Sequence, residues 1–360
     1  MKRLITALAI SSFFNLNSVQ ADAPQFTLAV SESPSWSGTF LTAWDLGLIQ
    51  GESGKLGPIE EKWNVDLVIN KTDYMASMLL FIDGSVDAAG LTNIDSLPLS
   101  MSRKAVAILP TSTSVGADAC IVGADIENLQ ALKTVSVKGL AGSVSEYIFD
   151  QGILSLGGNP SEFTFESLDP AKVGIELQNG QIQAGVTWNP FSVATLNAKP
   201  ELKRLFDSSV VEGHVIHMIV ASQASMAKPN ADAFGYALCD TFFSICQLML
   251  SEETQNEVLE VMSAHVGDLD LQQMQTLMSE MQFYATPSQA IQLFESQALA
   301  DLMRKNVLPW STSKGLLDRK NPPTISFGSG QDADLFFDTQ YMEKVGHTFD
   351  TQNAETIAEK

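Results

Sequence analysis

Polar and aromatic side chains stand at the ends of apolar runs through the first two thirds of this chain. Trp36 lies within "SESPSWSGTF" (31–40), Asp73 and Tyr74 follow "VDLVIN", and Thr92, Asn93 and Asp95 close "DAAGLTNID". Ser114 and Asp118 belong to "TSTSVGADACIV" (111–122), Ser143, Ser145 and Glu146 to "GLAGSVSEYIF" (139–149), and Trp188 and Asn189 to "GVTWNP". This is a chemistry of binding. Carboxylates make charge-assisted hydrogen bonds, indoles offer a π face to a cation, and amides and hydroxyls fix orientation.

Templates for catalysis are missing. The chain has no G-x-S-x-G, no H-E-x-x-H, no Walker A run and no G-x-G-x-x-G opening a helix. His214 and His217 are three apart on an expected strand, so they point to opposite faces and cannot share a metal. His265 and His347 have no neighbouring ligand pattern. The reading is therefore a non-enzyme without cofactor or metal. Several candidates also have structural roles open to them. Asp73 and Asp95 precede helices and suit N-caps, while Ser143 and Glu146 have the spacing of a capping box. The N–H groups of the helix that Ser143 opens would bind any small acceptor.

The elements that must hold these residues alternate. Strands are expected at 26–30, 65–69, 88–91, 106–109, 119–122, 134–137, 163–165, 184–186 and 215–220, and helices at 39–49, 74–82, 144–156 and 171–178. This is an α/β pattern with mainly parallel sheets, in which ligand residues sit on loops after strands. Four helices follow at 231–250, 252–264, 271–283 and 288–305, and then a Gly-, Pro- and Asp-rich end. "DGSVDAAGLTN" (83–93) aligns without gaps on "NGQIQAGVTWN" (179–189), so one helix–Gly–strand–polar-tip device occurs twice. Two similar lobes, each presenting a polar tip, are expected.

The first 21 residues read as a secretory signal peptide: Lys2 and Arg3, an apolar stretch over 4–16, then Val19-Gln20-Ala21. No other uninterrupted apolar run of spanning length is apparent. The formal charge is −21, and loss of Lys2 and Arg3 makes it −23, which discourages nucleic acid and anionic lipid as partners. Three cysteines, an odd number, give no disulfide framework.

"SPSWSG", "DGSVDAAGLTNIDSL", "GSVSEYIFDQGI", "NGQIQAGVTWNPF" and the late "FDTQYM" together resemble the periplasmic substrate-binding proteins of nitrate/sulfonate/taurine-class ABC importers. The likeness is greatest to the branch associated with urea-carboxylase gene clusters, whose substrates are urea- or guanidine-like. The resemblance implies a hinged, two-lobe clamshell with helices on both sheet faces. One lobe would be 22–113 plus 216–310, the other 114–215, with 311–360 an extension on the first. It also implies a small-molecule solute, a membrane permease as partner, a monomer and a periplasmic location. Trp188-Asn189 and Thr92-Asn93 would face each other across the cleft. The same fold family contains pyrimidine synthases of thiamine biosynthesis, but no matching histidine is evident in these cleft motifs.

An anion such as nitrate or a sulfonate needs Arg or a helix start. Arg103, Arg204, Arg304 and Arg319 all fall outside the expected cleft loops, and Lys138 is the nearest basic residue to one. Those loops carry Glu32, Asp73, Asp95, Asp118 and Glu146 beside Trp36 and Trp188. A urea- or guanidine-like ligand is expected, with an oxyanion as the alternative. Mass spectrometry of the secreted protein is expected to place its N-terminus at Asp22, and a start beyond Pro24 would refute the assignment.

Overall fold

A computed structural model describes residues 23–328 and 333–347; the expected leader and the end beyond His347 lie outside the described residues. The strands are β1 (Gln25–Val30), β2 (Asp66–Lys71), β3 (Ala88–Thr92), β4 (Ala105–Ser114), β5 (Ala119–Val122), β6 (Ser136–Gly139) and β7 (Thr164–Ser167). They continue as β8 (Ala184–Thr187), β9 (Lys203–Asp207), β10 (Ile216–Ser222), β11 (Met281–Phe283), β12 (Ile325–Phe327) and β13 (Leu335–Phe337). They form two sheets. One has the order β12-β13-β4-β10-β3-β1-β2, with β11 also pairing β4, and the other runs β7-β6-β8-β5-β9.

Each sheet with its helices makes one lobe. The chain leaves the first sheet after β4 and returns to it at β10, so β5 to β9 alone build the second. Both sheets are mixed, less parallel than expected. β1, β2 and β3 pair in parallel, as do β6, β7 and β8, whereas β10 runs antiparallel to β3 and β4, and β5 to β8 and β9. The strands entered directly from a crossing have no crossover helix to reverse the chain, which is why they run the other way.

The duplicated device is visible in both lobes. Asp73 caps the helix Tyr74–Asp83 by accepting from Ala76 N–H at 2.8 Å, Gly84 turns with φ 87°, and β3 follows. In the other lobe Asp169 caps Pro170–Gln178, Gly180 turns with φ 69°, and β8 follows. Glycine takes these left-handed turns without the clash that a Cβ would bring. Both strands are buried and run to the interface between the lobes, β3 ending in Thr92 and β8 leading into Trp188.

Several expectations need correction. Residues 34–38, around Trp36, form a buried π-type turn, and the helix after them runs only over Thr39–Asp45, short of the expected 39–49. The hydroxyl run 111–114 is the end of β4, paired with β10 and β11. The expected helix at 271–283 stops at Ser279, and its last residues become β11. β9 and the short helices Pro58–Trp63, Asn93–Ser100 and Phe191–Ala198 have no counterpart in the pattern analysis. Ala231–Leu250 is long and apolar enough to cross a membrane by length and composition, yet most of it is buried inside the fold, where it acts as a core helix. The extension past 311 is divided: β12 and β13 join the first sheet beside β4, but Lys314 reaches the second lobe.

Side chains tie the lobes together. Glu280 accepts from Arg204 Nη2 at 2.6 Å and from Asn189 Nδ2 at 2.9 Å, while Lys314 pairs with Glu146 at 2.6 Å and Asp150 at 2.8 Å. Trp310 Nε1 also donates to Asp150, at 2.8 Å. At the crossings Ser114 Oγ and Ser208 Oγ lie 2.7 Å apart. Glu280→Ala strands two partly buried donors at once. It is expected to lower the unfolding free energy by about 1–3 kcal/mol and to enlarge the radius of gyration in solution scattering; an unchanged radius would show that this clasp does not hold the lobes together.

Candidate functional site

A cavity lies where the two lobes meet. It is lined by Ser33, Trp36, Tyr74, Thr92 and His217 of the first sheet's lobe, by Ala117, Asp118, Val144, Trp188 and Asn189 on the other side, and by Met281. The centre of a water-sized sphere has ≈ 20 Å³ to move in. For a rounded void that corresponds to about 6 Å across, room for a molecule of a few heavy atoms.

Its walls are aromatic. Trp36 stacks on Tyr74 with centroids 5.6 Å apart and planes 8° from parallel, and His217 tilts against the indole at 5.0 Å. Trp188 of the opposite lobe meets Tyr74 edge-on at 5.4 Å. The close fit of Trp36 depends on Gly90 in β3, where an added Cβ would lie 2.6 Å from the indole Cδ2. His217 Nδ1 meets the hydroxyls of Ser112 at 3.0 Å and Ser35 at 3.3 Å. Burial pushes its pKa down to about 4, so the ring is neutral at physiological pH.

Two acids are buried here, and their surroundings differ. Asp95 is 2% exposed. Its Oδ2 accepts from Tyr74 Oη at 2.7 Å and Thr92 Oγ1 at 2.8 Å, and its Oδ1 from Val144 N–H at 3.1 Å, across the interface. Burial raises its pKa to about 6, against these hydrogen bonds. Asp118 is equally buried and its Oδ2 has no partner. Burial lifts its pKa to about 7, the Ser114 hydroxyl opposes that, and the charges of Asp95 and Asp207 add to it. Trp36 Nε1 is likewise buried without a partner. An unmatched acceptor and an unmatched donor thus belong to residues lining one void, where each costs free energy until something pairs with it.

Of the thirteen residues singled out from the sequence, Trp36, Tyr74, Thr92, Asp118, Trp188 and Asn189 line this cavity. The others are placed elsewhere. Asp73 is an exposed helix cap. Asp95 sits behind the wall and is not a cap; Thr92 caps Asn93–Ser100 instead. Asn93 donates to His214 O at 3.0 Å and accepts from Ile216 N–H at 2.9 Å, which pins the entry to β10. Ser114 laces the crossing. Ser143 caps Val144–Ser155, with its hydroxyl accepting from Ser145 N–H at 3.2 Å, and Ser145 Oγ is buried and unpartnered. Glu146 accepts from Gly142 N–H at 2.7 Å instead of completing a capping box on Ser143. Asn189 lines the cavity, and its amide also donates to Glu280 and accepts from Ser192, so it helps to clasp the lobes. The sequence reading missed Ser33, Ala117, Val144, Met281 and above all His217, a histidine in the cleft after all. His214, outside β10, instead faces Tyr147 Oη at 2.7 Å. No group of three or more metal-ligating side chains occurs among the described residues.

Two mixed sheets, two crossings and a cavity at their meeting define the periplasmic-binding-protein fold, and solved structures share it. The periplasmic aliphatic sulphonate binding protein SsuA from Escherichia coli matches with a TM-score of 0.63 at 15% identity, over 82% of this chain and 94% of that one. The alkanesulfonate-binding protein SsuA from Xanthomonas axonopodis pv. citri, bound to MOPS, gives 0.61 at 15%, over 84% and 97%. The periplasmic nitrate-binding protein NrtA from Synechocystis PCC 6803 gives 0.57 at 12%, over 81% and 84%. No family model and no curated relative matches this chain.

Because the pKa of Asp118 is raised, the stability linked to its neutral form is present at low pH and is lost as pH rises from about 4 to about 7. Asp118→Asn removes that dependence. The ligand-free variant is expected to melt above the wild type at pH 8 and level with it near pH 4; equal melting at both pH values would refute a buried, unpaired carboxylate.

Proposed function

We propose that this chain is an extracytoplasmic solute-binding protein that captures a small donor-rich solute, guanidine- or urea-like, and delivers it to an ABC permease without chemical change. It acts as an exported periplasmic monomer whose lobes, 22–113 with 216–310 and 114–215, close about the two crossings. The observation that carries the ligand class is Asp118, which lines a cavity walled by Trp36, Tyr74, His217 and Trp188 and whose Oδ2 is buried and unmatched. A planar cation or neutral amide donates to that oxygen and lays its face on the indoles. No Arg or Lys is among the lining residues, and the cavity is small. The first feature favours a donor over an anion, and the second limits either to a few heavy atoms.

A second reading is a sulfonate- or nitrate-type anion, and it is favoured by what the fold's solved relatives are named for. The electrostatics weigh against it: such a ligand would meet Asp118 with Asp95 close behind and no cation to offset them. A pyrimidine-synthase-like enzyme gains little from His217, which is neutral and held between serine hydroxyls, with no lysine among its companions in the wall.

Calorimetric titration with guanidinium at millimolar concentration, urea, taurine, nitrate and methanesulfonate decides between them. Guanidinium or urea is expected to bind and the anions are not. Guanidinium affinity should rise by up to about tenfold per pH unit as Asp118 loses its proton near pH 7 and level off above it. Binding of the anions with none of guanidinium or urea would overturn the ligand class; turnover of any of them would overturn the binding-protein reading.

A further inference from the structure

The helix Val144–Ser155 begins at the cavity, and Val144 itself lines it. A helix start presents N–H groups without intrahelical partners and the positive end of the peptide dipoles, a combination that attracts anions. Here the place is taken from within. Val144 N–H donates to Asp95 Oδ1 of the opposite lobe at 3.1 Å, while the hydroxyls of Tyr74 and Thr92 hold Oδ2 at 2.7 and 2.8 Å. All three residues gripping this carboxylate line the cavity, so Asp95 stands directly behind its wall. On the same first turn the Ser145 hydroxyl is wholly buried and unpartnered, a polar group that the fold has not used.

We propose that Asp95 is a specificity-determining residue: an internal anion that occupies the helix start in the closed protein and thereby excludes small external anions. This rests on the solute-binding reading and deepens it. The same contact that fills the helix start joins the two lobes, so closure and rejection of anions are one event. An incoming carboxylate, nitrate or sulfonate would have to displace Asp95 from three donors and then face Asp118, with no Lys or Arg in the cavity wall to compensate.

The test uses the mature protein and two variants. Asp95→Gly deletes the carboxylate and leaves a space of its size. Asp95→Gly with Val144→Pro removes the N–H as well; proline suits the first position of a helix, and Ser143 before it is already extended at φ −130°. Formate, acetate and nitrate are titrated by calorimetry into each. The wild type is expected to bind none, the single variant to bind formate or acetate at least tenfold more tightly, roughly the worth of one charge-assisted hydrogen bond, and the double variant to lose that gain. Equal anion affinity in wild type and single variant overturns the proposal. A gain that persists in the double variant also overturns it, because it would come from lower net charge alone. If Asp95→Gly folds poorly, formate is expected to raise its melting temperature more than chloride at the same ionic strength, and equal effects would refute the proposal. Guanidinium and urea titrated into the wild type report on the ligand class separately, so either reading can fail while the other stands.

Discussion

Burying a carboxylate is costly unless donors replace the water it leaves, and Asp95 is where this chain meets that cost at the meeting of its two lobes. Two of its donors, Tyr74 and Thr92, come from the lobe that carries it, and the third, the Val144 N–H, comes from the other. The carboxylate is fully hydrogen-bonded only when the lobes are together. The positions of Tyr74 and Thr92, and hence two walls of the cavity, follow from this one group.

Asp118 is the counterpart. It is as buried as Asp95 yet keeps one oxygen unmatched, and the like charge nearby raises its pKa further. The two acids differ by environment: Asp95 is satisfied by the scaffold, and Asp118 is left with an oxygen that the scaffold does not pair. The aromatic walls sharpen the division, since Trp36 can lie against β3 only because position 90 is glycine. Around this centre Glu280, Asn189, Arg204, Lys314 and Asp150 form polar ties that join the lobes.

Much of the architecture could be read from local pattern. Apolar runs bounded by Gly, Pro and polar residues marked β1 to β8 and β10 to within a few residues, because buried strands need such runs and turns need such breakers. The repeated helix–Gly–strand–tip device marked two equivalent places, and the strand ends at Thr92 and Trp188 do meet at one void. The edge strands β9 and β12, and β13 beside β12, went unseen: they are short, and β9 carries Lys203 and Arg204, so no apolar run announces it.

By itself the sequence determined the α/β class, the strand-end positions of Trp36, Tyr74, Thr92, Asp118, Trp188 and Asn189, and the shortage of basic residues in the cleft segments. Those properties reside in single segments, where period and residue type suffice. Only the tertiary structure decided which acid is satisfied and which is not, that Asn189 is a clasp, that His217 faces the cavity, and that the Val144 helix start is filled by Asp95. The partners that settle these points are distant in sequence: 49 residues separate Val144 from Asp95, 91 separate Asn189 from Glu280, and 105 separate Ser112 from His217. A hydrogen-bond donor 49 residues distant leaves no mark on the local pattern around Asp95, because spacing records the face a side chain takes and not the group it will meet there.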